Sequence, residues 1–186
     1  TYRQLDEATD RFAAALQKLG VRKGDRVSIM LPNVPQQVIS YFGILKAGAI
    51  VVNTNPTYTP REMQHQLGDS GAETIVLLSG LYDRLAQIRE RTSVKHVIVT
   101  DIPGSLGWPF NRLVEKQVRA SGIMRDVPPG PGIYDFYTLL KEASSKPSRA
   151  PVGTDDVALL QYSGGTTGYP KGAMLTHRNL VNNTAQ

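Results

Sequence analysis

Residues 162–172 of this chain, YSGGTTGYPKG, hold its densest group of side chains and backbone donors that could do chemistry. Every residue from 163 to 168 has a backbone N–H, and glycine reaches the conformations that turn successive N–H groups toward one point. Such a nest binds anionic oxygens, and the lysine that follows the proline adds a full positive charge. The sequence therefore predicts a loop that binds a chain of phosphates, such as a triphosphate. The predicted phosphate-binding residues are Ser163, Gly164, Gly165, Thr166, Thr167, Gly168 and Lys171.

The loop differs from the two commonest phosphate-binding motifs. The pattern G-x-x-x-x-G-K-[ST] needs glycine directly before lysine, whereas Pro170 precedes Lys171 here, and no G-x-G-x-x-G follows a predicted strand. Residues 173–176 are predicted to be extended, and Thr176 is predicted to cap a helix that begins with His177. The loop is therefore expected to join two extended segments. A flexible linker rich in Gly, Ser and Thr is the alternative, but the fixed order G-[ST]-[ST]-G-x-P-K favours phosphate binding.

The elements that must position this loop alternate regularly along the chain. Strands of five or six mostly apolar residues are predicted at 26–31, 49–53, 73–78 and 95–100, and a further strand at 157–162 leads into the loop. Helices are predicted over residues 1–19 and 34–46, after Thr59, and around Leu81, Leu85 and Ile88. This alternation predicts an α/β fold: a layered sheet of mostly parallel strands with helices on both faces.

The chain of 186 residues, of which 40% are hydrophobic, is predicted to form part of one domain. Residues 1–100 carry the βα repeats and residues 155–186 carry the last strand, the loop and the next helix. Residues 101–154 are rich in proline and are predicted to be a connecting excursion, with helical patterns at 111–119 and 135–143. Because Thr1 is not an initiator methionine and Gln186 falls just inside a new helix, the chain is expected to be a fragment of a longer one.

Composition excludes several classes of function. The net charge of +5 comes without basic runs or aromatic residues interleaved with Lys and Arg, so we predict no nucleic-acid partner. The absence of cysteine excludes a disulfide scaffold, a thiol nucleophile and a Cys-ligated metal site. The longest apolar run, residues 47–52, is far shorter than the roughly 18 residues that span a bilayer. These features predict a cytoplasmic protein.

The segment LLQYSGGTTGYPKGAMLTHRNL resembles the phosphate-loop signature of the adenylate-forming superfamily, which includes acyl-CoA synthetases, luciferases, aryl-CoA ligases and amino-acid adenylation domains. The segments LPNVPQQVISYFGILKAGAIVVNTNPTYTPREMQHQLGDSGAE and GAMLTHRNLVNN are similar to bacterial long-chain fatty acyl-CoA synthetases. The resemblance spans nearly the whole chain and is weakest across the proline-rich excursion. It implies the large N-terminal domain of such an enzyme.

This resemblance implies a two-step reaction with ATP, a fatty acid and CoA. The carboxylate attacks the α-phosphate of ATP to give acyl-adenylate and pyrophosphate, and the CoA thiol then displaces AMP. In family terms residues 163–171 form the phosphate loop, and the hydroxyl of Thr166 contacts Mg²⁺, with a carboxylate supplied from elsewhere. Gly164 departs from the family pattern, in which many relatives carry Ser or Thr. The resemblance also implies peripheral contact with the inner face of the membrane.

Three alternatives stay open at this stage: an aryl-CoA ligase, an amino-acid adenylation enzyme, and a non-catalytic nucleotide-binding module. No catalytic residue is assigned within the chain, because the family's catalytic lysine, hinge, and adenine and ribose motifs are expected beyond Gln186. His177 is interpreted as a structural residue of a first helical turn, and Asp155 and Asp156 as a polar cap at the start of a strand. His65 and His96 have no partner at metal-ligand spacing and receive no role.

Overall fold

A computed structural model describes residues 1–106, 109–163 and 170–185. Within these residues the strands are β1 (Arg26–Met30), β2 (Ile50–Asn53), β3 (Thr74–Leu78), β4 (His96–Thr100), β5 (Ile133–Asp135), β6 (Val157–Ser163) and β7 (Lys171–Thr176). They form one seven-stranded sheet of strand order β5-β4-β3-β1-β2-β6-β7, in which every neighbouring pair is parallel except β6 and β7. The helices are α1 (Tyr2–Lys18), α2 (Pro35–Lys46), α3 (Pro60–Ser70), α4 (Tyr82–Ala86), α5 (Phe110–Ala120), α6 (Phe136–Glu142) and α7 (His177–Thr184).

Helices cover both faces of the sheet, as the sequence predicted. Successive residues of a strand point to opposite faces, so Val76 and Leu78 of β3 join one apolar core while Ile75 and Leu77 join the other. The first core includes buried residues of α1, α2 and α6, and the second includes buried residues of α3 and α4. The central strands are thus buried on both sides, which explains why their sequences are apolar without alternation.

Local signals in the sequence set the helix starts. Thr1 with Gln4 and Thr59 with Glu62 form capping boxes at the starts of α1 and α3, and Pro60 takes the first position of α3. Gly20 follows α1 with a φ of +93° and reverses the chain toward β1. The helix predicted around residues 81–88 is shorter than expected, because α4 spans five residues between two 3₁₀ turns.

The proline-rich segment contributes to the sheet in a way that the sequence analysis did not predict. Both helical patterns are present as α5 and α6, but the short strand β5 lies between them and pairs in parallel with β4. Phe136 of α6 is fully buried, and its ring lies 5.1 Å from that of Phe12 on α1. The segment therefore closes one edge of the sheet and part of the first core. No helix in the described part of the chain is long and apolar enough to cross a membrane.

Candidate functional site

The predicted phosphate-binding segment is the connection of the β6–β7 hairpin. Ser163 and Lys171 are paired across the two antiparallel strands, directly before and after that connection, and both are exposed. The other five predicted residues, Gly164, Gly165, Thr166, Thr167 and Gly168, lie outside the described residues, and their role stays a prediction. The expected extended segment after the loop is confirmed as β7, and Thr176 caps α7 at His177 as predicted.

The hairpin connection begins at the edge of the sheet where the parallel strands end. β6 lies beside β2 in parallel, so Ser163, the last residue of β6, is at the same edge as Asn53, the last residue of β2. The chain leaves β1 toward β2 and then crosses back to β3, with α2 on one face and α3 on the other. Ligands of open α/β sheets bind outside the carboxyl ends of the strands at such a reversal of strand order. The reversal lies between β1 and β3, and Ser163 lies at the same edge of the sheet with β1 and β2 in between.

Helix α3 contacts this edge at three points. Asp69 accepts a hydrogen bond of 2.6 Å from the hydroxyl of Tyr162, the residue before Ser163. The Nε2 atom of His65 lies 3.4 Å from the carbonyl oxygen of Pro170, and Gln66 donates from Nε2 to the carbonyl oxygen of Asn53 at 2.7 Å. Burial, together with the Asp69 carboxylate, raises the pKa of the Tyr162 hydroxyl. That hydroxyl therefore keeps its proton and remains a donor.

Gly172 lies opposite Tyr162 on the neighbouring strand. A Cβ atom at Gly172 would come within 3.0 Å of Cζ of the Tyr162 ring and 3.3 Å of its hydroxyl oxygen. The ring therefore lies directly over the glycine. This close approach explains why glycine follows Lys171.

The other end of β6 is held by charged residues. The Asp156 carboxylate accepts a hydrogen bond of 2.7 Å from the backbone N–H of Gly153 and pairs with Lys23 at 2.7 Å. These contacts, that of Lys23 first, lower the pKa of Asp156. Arg178 pairs with Asp155 at 2.9 Å. The interpretation of the two aspartates as a polar cap at the start of the strand is confirmed.

A second polar cluster lies at the same edge, near the end of β4. Gln36 is fully buried and donates from Nε2 to the carbonyl oxygen of Asp101 and to the hydroxyl of Tyr137, both at 2.8 Å. The Ser79 hydroxyl donates to the Asp101 carboxylate and accepts a bond of 2.9 Å from the backbone N–H of Arg125. Burial raises the pKa of Asp101 and raises that of Tyr137 to about 12. This cluster joins the ends of β3 and β4 to α2 and α6.

Sequence reasoning did not single out Tyr162 or Asp69 for a role. Tyr162 directly precedes the loop, but Asp69 lies 93 residues before Tyr162 in the chain, and no spacing rule links these two residues. His65 was given no role from the sequence, yet it contacts Pro170. Both contacts form because α3 lies beside the hairpin in the fold.

The described residues contain no group of three or more His, Cys, Asp or Glu side chains that could hold a metal ion. Magnesium keeps most of its waters and takes few protein ligands in nucleotide sites, where phosphate oxygens complete its coordination. One hydroxyl from the loop would suit that type of binding. The predicted contact from Thr166 lies outside the described residues.

Comparisons with known proteins agree on one family. The family model described as AMP-binding enzyme matches residues 1–186. A long-chain-fatty-acid–CoA ligase of Salmonella typhimurium (strain LT2) is 46% identical over 190 residues, covering 100% of this chain and 34% of that protein. A long-chain-fatty-acid–CoA ligase of Bacillus subtilis (strain 168) is 39% identical over 176 residues, covering 94% of this chain and 31% of that protein.

The crystal structure of a long-chain-fatty-acid-CoA ligase from Archaeoglobus fulgidus has a TM-score of 0.79 to this chain at 31% identity. The match covers 100% of this chain and 31% of that one. This chain therefore spans about a third of the length of the relatives it matches.

Proposed function

Since this chain belongs to the family of AMP-binding enzymes, we propose that the gene product carrying it is an AMP-forming long-chain fatty acid–CoA ligase. Its substrates are ATP, a long-chain fatty acid and CoA, and its products are acyl-CoA, AMP and pyrophosphate. The names of the Salmonella and Bacillus relatives support the substrate class. Residues 163–171 contribute the site for the phosphates of ATP, and residues 1–186 alone are inactive because they lack the remaining substrate sites.

The observation that carries this proposal is the pairing of Ser163 with Lys171 at the carboxyl edge of a parallel sheet. In the first step a carboxylate oxygen of the fatty acid forms a bond to the α-phosphorus of ATP, and the bond from that phosphorus to the bridging oxygen of pyrophosphate breaks. Negative charge grows on the leaving pyrophosphate. Backbone N–H groups held in a loop, together with a lysine ammonium group, stabilise such charge as it develops.

In the second step the CoA sulfur attacks the acyl carbon, the bond to the AMP oxygen breaks, and the thiol proton passes to solvent or to a base outside this chain. A magnesium ion held by Thr166, water and phosphate oxygens would neutralise charge on the β- and γ-phosphates. The residues of this chain thus bind and orient the nucleotide phosphates. We assign no acid or base in it.

We also propose a cytoplasmic enzyme that contacts the inner face of the membrane peripherally. Helix α5 supports this location. The helix packs mainly against the 3₁₀ turn at residues 102–105, and Phe110 at its start is 66% exposed. Arg112 and Lys116 are exposed one turn apart and form no ion pair within the described part of the chain. The wild-type gene product should co-float with vesicles of anionic lipid, and Phe110→Ser and Lys116→Glu should each reduce the floated fraction. No flotation of the wild type would refute this location.

The test of the activity is product identification. The full-length gene product is incubated with ATP, magnesium, CoA and fatty acids of several chain lengths, and the nucleotide and acyl products are separated by mass. We expect AMP and acyl-CoA, with the highest turnover for long chains. Turnover of aromatic acids or amino acids instead would identify a sister enzyme, and ADP or no product from folded protein would refute the proposal.

A further inference from the structure

We infer that helix α3 fixes the position of the phosphate-binding hairpin, and that Asp69 and Tyr162 are its positioning residues. The inference rests on the proposed function of residues 163–171. It adds a role for two side chains that lie outside the loop and have no direct part in the chemistry of ATP.

Helix α3 contacts both sides of the hairpin at once. His65 and Asp69 are four residues apart and therefore lie on the same side of the helix. Asp69 binds the Tyr162 hydroxyl on β6, and His65 contacts the carbonyl oxygen of Pro170 directly before β7. Gln66, on the same helix, binds the end of the neighbouring strand β2. One rigid element thus sets the positions of the strand before the loop and the strand after it.

The Tyr162 side chain is held on two sides. Its ring covers Gly172, and its hydroxyl donates to a carboxylate at 2.6 Å, a short distance typical of charge-assisted hydrogen bonds. The side chain is only 8% exposed. Each strand residue in this contact is adjacent to a predicted phosphate ligand: Tyr162 precedes Ser163, and Gly172 follows Lys171.

Preorganised donors lower the barrier only when they are already at the position where charge develops. A displacement of about 1 Å can cost on the order of 100-fold in rate. Removing the Tyr162 hydroxyl leaves the ring over Gly172, so the hairpin loosens without being lost. We therefore expect a smaller effect, an approximately tenfold fall in kcat/KM for ATP, with the KM for the fatty acid unchanged.

The test compares Tyr162→Phe, Asp69→Leu and Asp69→Asn in the full-length gene product by ATP–pyrophosphate exchange. Tyr162→Phe and Asp69→Leu break the same bond, so the double variant should be no slower than either single variant. Asp69→Asn should retain most of the rate, because its amide oxygen still accepts the tyrosine proton. Asp69 is exposed, so its variants keep the test informative if Tyr162→Phe lowers the yield of folded protein.

Tyr137→Phe is the matched control, because it removes a tyrosine hydroxyl with a 2.8 Å hydrogen bond near β4, away from the hairpin. It should lower the thermal midpoint about as much as Tyr162→Phe while leaving kcat/KM for ATP unchanged. Equal ATP kinetics in Tyr162→Phe, Tyr137→Phe and wild type would overturn the positioning role and leave the proposed function intact. A wild-type protein that forms no AMP would overturn the proposed function itself.

Discussion

Gly43 on α2 is the residue whose substitution most directly tests the packing of the first core. A Cβ atom there would lie 2.8 Å from Cδ1 of Phe12 and 3.1 Å from the carbonyl oxygen of Thr9, both on α1. Favourable carbon–carbon contacts lie at about 3.5–4.0 Å, so the added methyl group overlaps its neighbour. Phe12 has no room to withdraw, because it is fully buried and its ring packs against Phe136.

Two effects of opposite sign decide the outcome of Gly43→Ala. Alanine is favoured over glycine in a helix by about 1 kcal/mol, whereas overpacking a close-packed core costs about 1–3 kcal/mol. The second effect is larger here because the contact on α1 includes backbone. We expect a net loss of up to about 2 kcal/mol in the free energy of unfolding. Gly68→Ala on α3 is the matched control, since a Cβ atom there meets nothing within 4 Å.

Gly68→Ala should therefore gain about 0.5–1 kcal/mol. Urea unfolding of both variants and the wild type, followed by circular dichroism, compares the two changes directly. The midpoint should fall for Gly43→Ala and rise for Gly68→Ala. A rise of similar size in both variants would refute the claim that α1 and α2 meet at Gly43 without space for a methyl group.

Three further predictions concern the loop and the second polar cluster. Lys171→Ala should raise the KM for ATP about tenfold or more and leave the affinity for the fatty acid unchanged, because the lost ammonium group is proposed to contact phosphate. Steady-state kinetics with each substrate varied would measure both effects. Unchanged ATP kinetics would contradict the phosphate-binding role of Lys171. Thr166→Val should lower the rate at limiting magnesium with little change in thermal midpoint, since Val matches Thr in shape; a normal magnesium dependence would exclude the metal contact. Burial raises the pKa of Asp101 above its usual 3.8, because the fold favours the neutral carboxyl. The stability that this group contributes is therefore fully present below pH 3.8 and is lost as the pH rises through the folded-state pKa. Asp101→Asn, which stays neutral and can still accept from Ser79, should therefore raise the thermal midpoint near pH 7 and gain progressively less toward about pH 4; a gain independent of pH would contradict the sign.

The sequence predicted those features that depend on neighbours in the chain. Capping residues at Thr1, Thr59 and Thr176 locate three helix starts, and apolar runs locate β1 to β4. The short strand β5 has too few residues to show a hydrophobic pattern, and its place beside β4 depends on the sheet that it joins. Local patterns hold no information about such a partner.

The same limit applies to the candidate site. The loop motif identified Ser163 and Lys171, because a phosphate nest is built from consecutive residues. The bond from Asp69 to Tyr162 depends on how α3 lies across the end of β6, which is set by strand order and helix packing. Motif spacing identifies the residues proposed to touch the ligand, whereas the fold is needed to identify those that hold them.

The place of β6 in the sheet also determines when the site can form during synthesis of the chain. Asn53 and Gln161, which are paired across β2 and β6, are 108 residues apart in the chain. Contacts of such long sequence separation form late, and chains fold from the N-terminus as the ribosome releases them. Strands β1 to β5 can pair before β6 has been synthesised. A nucleotide that binds at the β6–β7 hairpin can therefore stabilise only the completed sheet and cannot assist the earlier steps of its folding.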